Sequence, residues 1–529
     1  MSLRHSQRKR VLAAVAICAW AALVLPGCGE RERRAAADGE RLAAPAPPSL
    51  VALRAGGAAA GVVVGAARSG GNAPVLRAAI HIPRARIVAV SFFTGSRPLG
   101  TDTTAPYRLD LLPGALPRGA HAVRAVAVDR LGRRTTSRPA TITTGPAAHQ
   151  QATRPGPGLT AALARLRAGH TTVRLAPGRY ALNALELGPG ARLVGSGPST
   201  ILTPAPNTTP WALLEARGRT IRIADLTIDG DRRAHRAISI ANGSADVRLQ
   251  RLTVRRVLTN AIEAWGAHRD ISVQDSTLDG RGASNAGVFD LGSDHSRDVS
   301  TIRTRISGFR GYGVAFAQRF YGRPAAALHN LALDNHINNI VDPTRADGRS
   351  ESGIWSGGVA AAIVGNRVHN TGTDAIQTVG SSTRSTIVGN TVGRTPVGIY
   401  LEHSTDATLI ARNRIADVGT GINVEWRHAG GGSSANTFAT NTIAQASQAG
   451  VFLDVGSDAN RVQANRFVGG ARPAIVLQGS SRNLVRANRG CGTAGPMVAQ
   501  QAGRRETGTL AAARDNRLAA NVATPSCAG

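Results

Sequence analysis

The sequence predicts an all-β protein: a right-handed parallel β-helix of about 11–13 coils, preceded by a small β-sandwich. The first observation is composition, because only 4 % of the 529 residues are aromatic while 61 are glycine, which favours short strands and turns over helices. The second is one short phrase that recurs with its asparagine at a nearly constant interval. The third is an N-terminal part built of short alternating runs broken by Gly, Pro and Asp.

Residues 1–27 have the layout of a secretory signal peptide. Four basic residues precede an apolar run from Val11 to Leu25, which is too short to span a bilayer. The run ends in "LPGC", and this resembles the lipobox of bacterial lipoproteins. The resemblance implies that Cys28 carries a lipid that anchors the protein to the cell membrane. The alternative is an ordinary signal peptide cut nearby, which leaves the protein extracellular, so the protein is exported in either case.

Residues 28–48 are rich in Ala, Pro and charge and predict a flexible tether. Residues 49–147 then predict the β-sandwich, because runs such as "RIVAVSFFTGSRPLGTDTTAPYRLDL" alternate apolar and polar residues. Together with the predicted hairpin "GAHAVRAVAVDRLG", this portion resembles the bacterial Ig-like domains found beside carbohydrate-active modules. That resemblance implies a spacer or binding module rather than a catalyst.

The rest of the chain, residues 155–528, is a repeat. Asparagines recur in phrases such as "IVGNRV" and "IARNRI" at intervals of 24, 23, 28, 24 and 23 residues, which is about one coil of a parallel β-helix. Asparagine tolerates the left-handed backbone of a sharp corner and can hydrogen-bond to its copy in the next coil. We therefore predict a structural ladder formed by Asn366, Asn390, Asn413, Asn441, Asn465 and Asn488.

A helix should open this repeat. Leu159, Leu163 and Leu166 share one helical face, which would cover the open edge of the first coil. The helix, followed by "APGRY" and "GSGPSTIL", resembles the opening of the pectate lyase-like superfamily of right-handed parallel β-helices. That superfamily contains lyases, hydrolases, epimerases and non-catalytic adhesins, so the resemblance implies the fold and leaves the activity open.

A column of acids is the main functional candidate. When the coils are aligned on a small residue and the Ile or Val after it, Glu402, Glu425 and Asp454 fall on one outward face. Two like charges about 5 Å apart repel by roughly 3 kcal/mol at an effective dielectric of about 20. We expect a bound cation, with Ca²⁺ as the candidate, a shared proton or an arginine such as Arg427 to offset this repulsion. The alternative is a solvated polar ladder screened by arginines.

Neighbouring residues extend the candidate site. His403 and Arg427 are candidate proton acceptors beside the acids, and a Glu425 carboxyl with a raised pKa would also suit proton transfer. Aromatic side chains on the same face could stack against sugar rings, and the candidates are Trp355, Tyr400, Trp426 and Phe452.

The cysteines fit an exported protein. Cys491 and Cys527 are the pair left in the mature body, and an oxidising compartment permits a disulfide that closes a loop of 36 residues.

The net charge of +30 favours an anionic polymer as partner, but no basic cluster interleaved with aromatics supports nucleic-acid binding. We expect a monomer that binds polysaccharide or cell-wall glycan and acts on an acidic polysaccharide as a lyase or epimerase. The alternatives are a non-catalytic glycan-binding surface protein and a glycoside hydrolase. The Asp-Pro-His of alginate epimerases is replaced here by Asp342-Pro343-Thr344, so no catalytic assignment of a known family is carried over.

Overall fold

In the structure, a computed structural model, the chain from Leu50 to Gly529 forms one compact unit. The structure describes residues 61–68, 74–81, 87–112, 114–144, 152–283, 285–292, 296–316, 329–344, 351–380, 382–425, 432–470, 473–492, 496–504, 509–524 and 526–527. The predicted signal peptide, the tether, Cys28, Trp426 and Arg427 lie outside these residues. None of the helices in the described ranges is long and apolar enough to cross a membrane.

Antiparallel strands come first along the chain. They are β1 (Gly61–Arg68), β2 (Pro74–His81), β3 (Ile87–Thr94), β4 (Arg97–Asp102), β5 (Arg108–Asp110), β6 (Gly119–Asp129), β7 (Arg134–Thr136) and β8 (Ala140–Thr144). One sheet has the order β1-β2-β5, and the other has the order β4-β3-β6-β7 with β8 also paired to β6. Leu76, Phe92 and Val123 are buried in their shared core. We call this part the N-terminal module; it occupies the region where a sandwich was predicted, and its Ig-like character stays a prediction.

A single described helix, α1 (Pro157–Ala168), separates the module from the repeat. The strands of the repeat begin with β9 (Thr172–Arg174), β10 (Gly178–Leu182), β11 (Leu185–Leu187), β12 (Arg192–Val194), β13 (Thr200–Pro204), β14 (Ala212–Ala216), β15 (Arg219–Asp229), β16 (Arg236–Ile240), β17 (Ala245–Arg255), β18 (Asn260–Gly266), β19 (Arg269–Gln274) and β20 (Thr277–Ala283). The middle strands are β21 (Ala286–Gly292), β22 (Arg297–Ile302), β23 (Arg305–Phe309), β24 (Tyr312–Phe316), β25 (Leu331–Leu333), β26 (His336–Ile340), β27 (Ser352–Ser356), β28 (Ala362–Val364), β29 (Arg367–Thr371), β30 (Asp374–Thr378), β31 (Thr386–Val388), β32 (Thr391–Leu401), β33 (Leu409–Ala411) and β34 (Arg414–Val424). The last strands are β35 (Thr437–Ala439), β36 (Thr442–Leu453), β37 (Arg461–Gln463), β38 (Arg466–Val468), β39 (Ile475–Gln478), β40 (Leu484–Arg486), β41 (Arg489–Cys491), β42 (Val498–Gln501), β43 (Gly503–Arg504), β44 (Leu510–Ala511), β45 (Arg517–Ala519) and β46 (Val522–Thr524).

These strands form a parallel β-helix with three faces, which confirms the predicted all-β fold and agrees with the predicted number of coils. Face A contains β11, β14, β16, β18, β21, β24, β27, β30, the C-terminal halves of β32, β34 and β36, and then β39 and β42. Face B contains β9, β12, the N-terminal halves of β15 and β17, β19, β22, β25, β28, β31, β33, β35, β37, β40 and β45. Face C contains β10, β13, the C-terminal halves of β15 and β17, β20, β23, β26, β29, the N-terminal halves of β32, β34 and β36, and β38, β41 and β46.

Stacked aliphatic side chains fill the inside of the coils. On face A, Ile376, Ile399 and Ile422 are register partners in successive coils and are fully buried. Burying each such side chain contributes about 1.5–3 kcal/mol. The small residue before each of them is required by space, because a Cβ at Gly398 would lie 2.5 Å from the carbonyl oxygen of Gly421. This close approach explains the small-then-aliphatic phrase of every coil.

Helix α1 covers the first coil as predicted. Leu166 is fully buried in the core of the β-helix, and Leu159 and Leu163 pack against that core. The helix contacts β9 and β11, so the first coil does not present its apolar edge to solvent.

The asparagine ladder is present at the corner between faces B and C. The backbone N–H and the side-chain amide of Asn413 both donate to Asn441 Oδ1, at 3.0 and 2.9 Å, and Asn413 Nδ2 also donates to Ile387 O at 2.9 Å. One detail of the expectation is wrong: the left-handed residue is the preceding Arg412, with φ of 56°, and Asn413 itself is not left-handed. The backbone turns one residue earlier, so the asparagine side chain is directed into the coil. A second ladder, Asn436, Asn460, Asn483 and Asn516, stands before the strands of face B.

The N-terminal module packs on face B. Ala89 and Val128 form an apolar cluster with Leu331, Leu333 and Val364. The Gln274 side chain accepts a hydrogen bond from Thr101 N at 2.9 Å and donates one to Thr101 O at 2.8 Å. At the other end of the helix, Cys491 is bonded to Cys527, and their Cα atoms are 4.8 Å apart.

Candidate functional site

The predicted acids do lie on successive coils at the end of face A strands. Glu402 follows β32, Glu425 follows β34 and Asp454 follows β36. The N–H of Glu425 donates to Leu401 O at 3.2 Å, and the N–H of Asp454 donates to Val424 O at 2.8 Å. We call these three residues the carboxylate row.

Each carboxylate of the row is hydrogen-bonded to a neighbouring amide. Gln377 Nε2 donates to Glu402 Oε2 at 3.4 Å, Asn423 Nδ2 donates to Glu425 Oε2 at 3.3 Å, and Gln478 Nε2 donates to Asp454 Oδ1 at 3.1 Å. Carboxylate and amide oxygens are ligands that Ca²⁺ prefers. Among the described residues, however, no three acidic, histidine or cysteine side chains converge closely enough to hold a metal ion. The Ca²⁺ expected at the carboxylate row therefore stays a prediction.

His403 is the described base beside the row. Its Nδ1 lies 3.9 Å from Glu402 Oε1, and its side chain is only 11 % exposed. Three residues further along the chain, burial raises the pKa of the Asp406 carboxyl, while the N–H of Ser434, which donates to Asp406 Oδ1 at 2.6 Å, lowers it. The sequence did not single out Asp406, because nothing in its local phrase indicates that its side chain is partly buried.

The predicted stacking residues lie on the outward face, but two of them are covered. Trp355, Tyr400 and Phe452 belong to one outward column of face A. Trp355 and Tyr400 are only 5 % and 3 % exposed, and Phe452 is partly exposed. Trp355 packs against Ala315 and Val379 in an apolar cluster outside the coil. The described Trp355 and Tyr400 therefore do not offer free ring faces for stacking.

Exposed apolar side chains lie instead on earlier coils of the same face. Trp265 on β18 and Leu291 on β21 are register partners, and each is 45 % exposed. Phe289 stands on the same face as Leu291, and its ring is 6.3 Å from that of Tyr312 in a stacked arrangement. We call Trp265, Phe289, Leu291 and Tyr312 the apolar strip. Four coil spacings separate Phe289 from Tyr400, so Phe289 lies about 19 Å along the helix axis from the first coil of the carboxylate row.

A buried charged cluster adjoins the strip. Arg236 Nε lies 2.5 Å from Glu263 Oε2, and Asn260 Nδ2 donates to the same oxygen. The Arg236 guanidinium also stands 3.8 Å above the ring of Trp211, which is 64 % exposed. Such a cation over an indole face holds the ring in one orientation.

The sequence did contain a signal for this region. Ala261-Ile262 in "NAIEAWGAH" is the same small-then-aliphatic pair that aligns the later coils, and it places Glu263 and Trp265 on the outward face. Neither residue is among the candidates predicted from the sequence, although this pair marks their coil.

A buried acid and histidine lie beneath the strip. Asp290 stands between Phe289 and Leu291 and faces into the coil, where its Oδ1 is 2.8 Å from His268 Nε2. Both side chains are fully shielded from solvent. Their position inside the coil gives them a structural role rather than contact with a ligand.

Comparisons with known proteins support the fold. A family model described as "Right handed beta helix region" matches residues 329–489, less than a third of the chain. No curated protein matches this chain. Similar solved structures are the A-module of mannuronan C-5 epimerase AlgE6 from Azotobacter vinelandii (16 % identity, 63 % of this chain and 94 % of that chain, TM-score 0.44) and a family 28 exopolygalacturonase from Yersinia enterocolitica (13 %, 88 % and 96 %, 0.38). The Streptococcus pneumoniae surface adhesin PfbA is another (13 %, 69 % and 87 %, 0.39). At these identities and TM-scores they assign no activity to this chain.

Proposed function

We propose that the chain is an exported carbohydrate-acting β-helix protein that binds an acidic polysaccharide along face A and acts on it as a lyase or epimerase. The observation that carries this proposal is the alignment of two surfaces on one sheet. Within the apolar strip the exposed Trp265 ring can stack against a sugar, and the carboxylate row further along the axis offers hydrogen-bond acceptors and a neighbouring imidazole.

The roles of the residues follow from lyase or epimerase chemistry, which removes the proton on the carbon beside a uronate carboxyl group. In this proposal His403 accepts the proton, and Glu402, whose Oε1 lies 3.9 Å from His403 Nδ1, orients the imidazole. Glu425 and Asp454 would accept hydrogen bonds from sugar hydroxyls. Arg427 remains our second candidate to accept this proton, and Trp426 and Phe452 remain candidates for sugar contacts. A bound Ca²⁺ would supply neutralisation of that carboxyl.

A specific observation favours the alternative of a non-catalytic glycan-binding protein. The three carboxylates are each held by a separate amide, whereas a hydrolase needs two carboxyl groups that flank one glycosidic bond. An exposed apolar strip is sufficient for binding without any reaction. The distinction between the two functions therefore depends on whether a product forms.

The test is a panel of acidic and neutral polysaccharides, assayed for binding, for absorbance of unsaturated uronates, for change of sugar configuration and for reducing ends. On an accepted substrate, Glu425→Gln should keep the fold and lower turnover or binding at least about tenfold, or about 1.4 kcal/mol. Trp265→Ala should weaken binding by a similar factor, while Leu518→Ala, which truncates an exposed leucine on face B, should not. Binding without any product would establish the non-catalytic alternative. Full binding and activity in both face A variants would refute the assignment of face A, and reducing ends without unsaturation would indicate a hydrolase.

The proposed anchor has a separate test. If Cys28 is lipidated, wild-type protein should be found in the membrane fraction and Cys28→Ser should be released from it. A Cys28→Ser variant that stays in the membrane fraction would show that the lipobox interpretation is wrong.

A further inference from the structure

The outward column of face C is rich in arginine. Register pairing aligns Arg305, His336, Arg367, Thr391, Arg414, Thr442, Arg466 and Arg489 on successive coils. The five arginines are exposed. Within the described residues, none of them forms an ion pair. We call this set the arginine column.

The spacing of the column is regular. Neighbouring coils are about 4.8 Å apart, and between Arg367 and Arg466 every second coil carries threonine, so the guanidinium groups recur about every 10 Å. In this stretch a threonine hydroxyl group stands between successive guanidinium groups. Because none of the five arginines forms an ion pair within the described residues, the column presents a positive potential along the helix axis.

A trough runs beside the column. Its floor is made of the small residues Gly393, Ala416 and Ala444, which occupy the next outward column of face C. The trough has a volume of about 480 Å³, and its lining includes His369, Arg394, Arg414, Arg466 and the single acid Asp417. The small floor residues leave room for a chain that lies parallel to the axis, with the cations of the column along one side.

We propose that the arginine column and its trough bind an acidic polysaccharide laid along face C, at a site separate from face A. An extended polyuronate turns alternate sugars to opposite sides, so that one side presents a carboxylate on every second sugar and hydroxyl groups between. The alternation of arginine and threonine matches this pattern. Arginine suits the role because its planar guanidinium can make two parallel hydrogen bonds to one carboxylate.

The same features disfavour a nucleic acid. Phosphates of one DNA strand follow each other about every 3.4 Å, which is far closer than the arginines of the column. Proteins that hold single strands stack the bases on aromatic rings. Among the described residues of the column and trough there is no Phe, Tyr or Trp. Charge and spacing together select a carboxylated polysaccharide.

The site does not depend on the proposed reaction. Face C is a different sheet from the one that carries the apolar strip and the carboxylate row, so a polysaccharide can be held on face C whether or not face A binds or converts it. A long polymer could be retained by the arginine column while another part of it reaches face A.

The test compares two double variants with equal loss of charge. Arg414→Gln/Arg466→Gln removes two arginines that are two coils apart on face C. Arg461→Gln/Arg517→Gln removes two exposed arginines with the same spacing on face B. Binding of the full chain to alginate, polygalacturonate, neutral dextran and double-stranded DNA is measured at two salt concentrations, and Trp265→Ala is measured in parallel.

The face C double variant should bind alginate or polygalacturonate about tenfold more weakly and lose much of the salt dependence, because two exposed charge contacts are removed. The face B double variant should stay within about twofold of wild type, and neutral dextran should not bind. Equal losses of affinity in the two double variants would show that binding depends only on net charge, and this would overturn the proposal. Tighter binding to DNA than to either polyuronate would also overturn it. If only Trp265→Ala bound the polyuronates more weakly, the binding site would lie on face A and the proposed site on face C would be overturned.

Discussion

At the scale of single residues, buried polar side chains define the corners and the interior of the coils. Asn413, as an example of the ladder, hydrogen-bonds to an asparagine of the next coil and to the backbone of the preceding coil, and Asp290 and His268 face each other without solvent. Removing one partner of such a set leaves the other without its partner in a dry interior. These residues are therefore more sensitive to substitution than the exposed acids and arginines that are candidates for ligand binding.

Asn413→Leu should lower the free energy of unfolding by about 1–3 kcal/mol, because the buried N–H and side-chain amide of Asn390 lose their acceptor. Chemical denaturation measures this change. Asn521→Leu is the matched control, since Asn521 is the last ladder member and only partly buried, and we expect a smaller loss. An unchanged midpoint in Asn413→Leu would contradict the ladder's contribution.

Asp290→Ala should destabilise the chain by about 1–3 kcal/mol, because the buried His268 imidazole loses its polar neighbour inside the coil. Replacing both residues, as in His268→Phe/Asp290→Leu, should recover part of this loss, since a well-packed apolar pair can replace a buried polar pair at little cost. Thermal unfolding of wild type, Asp290→Ala and the double variant measures this recovery. A double variant at least as unstable as Asp290→Ala would contradict the pairing of the two side chains.

The stability of the chain should also depend on pH through His369. Burial lowers the pKa of His369 below its ordinary value of 6.5, and His336, Arg394 and Arg367, which face it, lower it further, while a backbone hydrogen bond to Gly393 acts in the opposite direction. The unfolded chain then binds the proton more readily, so the His369 contribution to stability is retained above about pH 6.5 and lost as the pH falls below it. His369→Gln should flatten this part of the profile of unfolding free energy against pH. A bound polyanion should raise this pKa, and NMR titration with and without alginate would detect it.

At the scale of elements, the N-terminal module is held on face B by an apolar patch that is separate from its own core. Val128 packs on the β-helix, whereas its neighbour Ala127 belongs to the core of the module. Val128→Asp should therefore undock the module without unfolding either part, since it places a charge in the interface. Calorimetry should show two transitions in place of one. Ala120→Asp, at an exposed position of the same strand, is the control and should keep a single transition.

The elements differ in how far the sequence predicts them. The period of the asparagine phrase and the small-then-aliphatic pair predict the coils and the outward side of each strand, because both arise from contacts between neighbouring coils. The exposure of an outward side chain depends on what packs against it outside the coil. The periodicity of the sequence carries no information about these contacts. The sequence therefore predicts the correct face for Trp355 and Tyr400 but not their burial. The exposed Trp265 is not among the predicted residues. The regular arginine column was also missed, because its members are separated by whole coils in the sequence.

At the scale of the whole molecule, the three faces have different surfaces. Face B carries the N-terminal module, face A carries the apolar strip and the carboxylate row, and face C carries the arginine column. Repetition of the coil is enough to produce such columns, because each position of the repeat recurs about every 4.8 Å along the axis. This repetition suits a linear polymer better than a compact ligand.

The two ends of the β-helix differ in protection, and the last prediction concerns the C-terminal end. Helix α1 covers the first coil, while Leu510, Leu518 and Val522 near the last coil are 69 %, 44 % and 52 % exposed. The disulfide between Cys491 and Cys527 closes a loop of 36 residues, which contributes about 3–4 kcal/mol by the chain-entropy argument. Because each coil contacts only its neighbours, Cys527→Ser should speed amide exchange in β45 and β46 and leave β28 and β31 unchanged. Wild type treated with a reductant should behave in the same way. Faster exchange throughout the β-helix would show that the coils unfold together, and free thiols on both cysteines of the air-exposed protein would exclude the bridge.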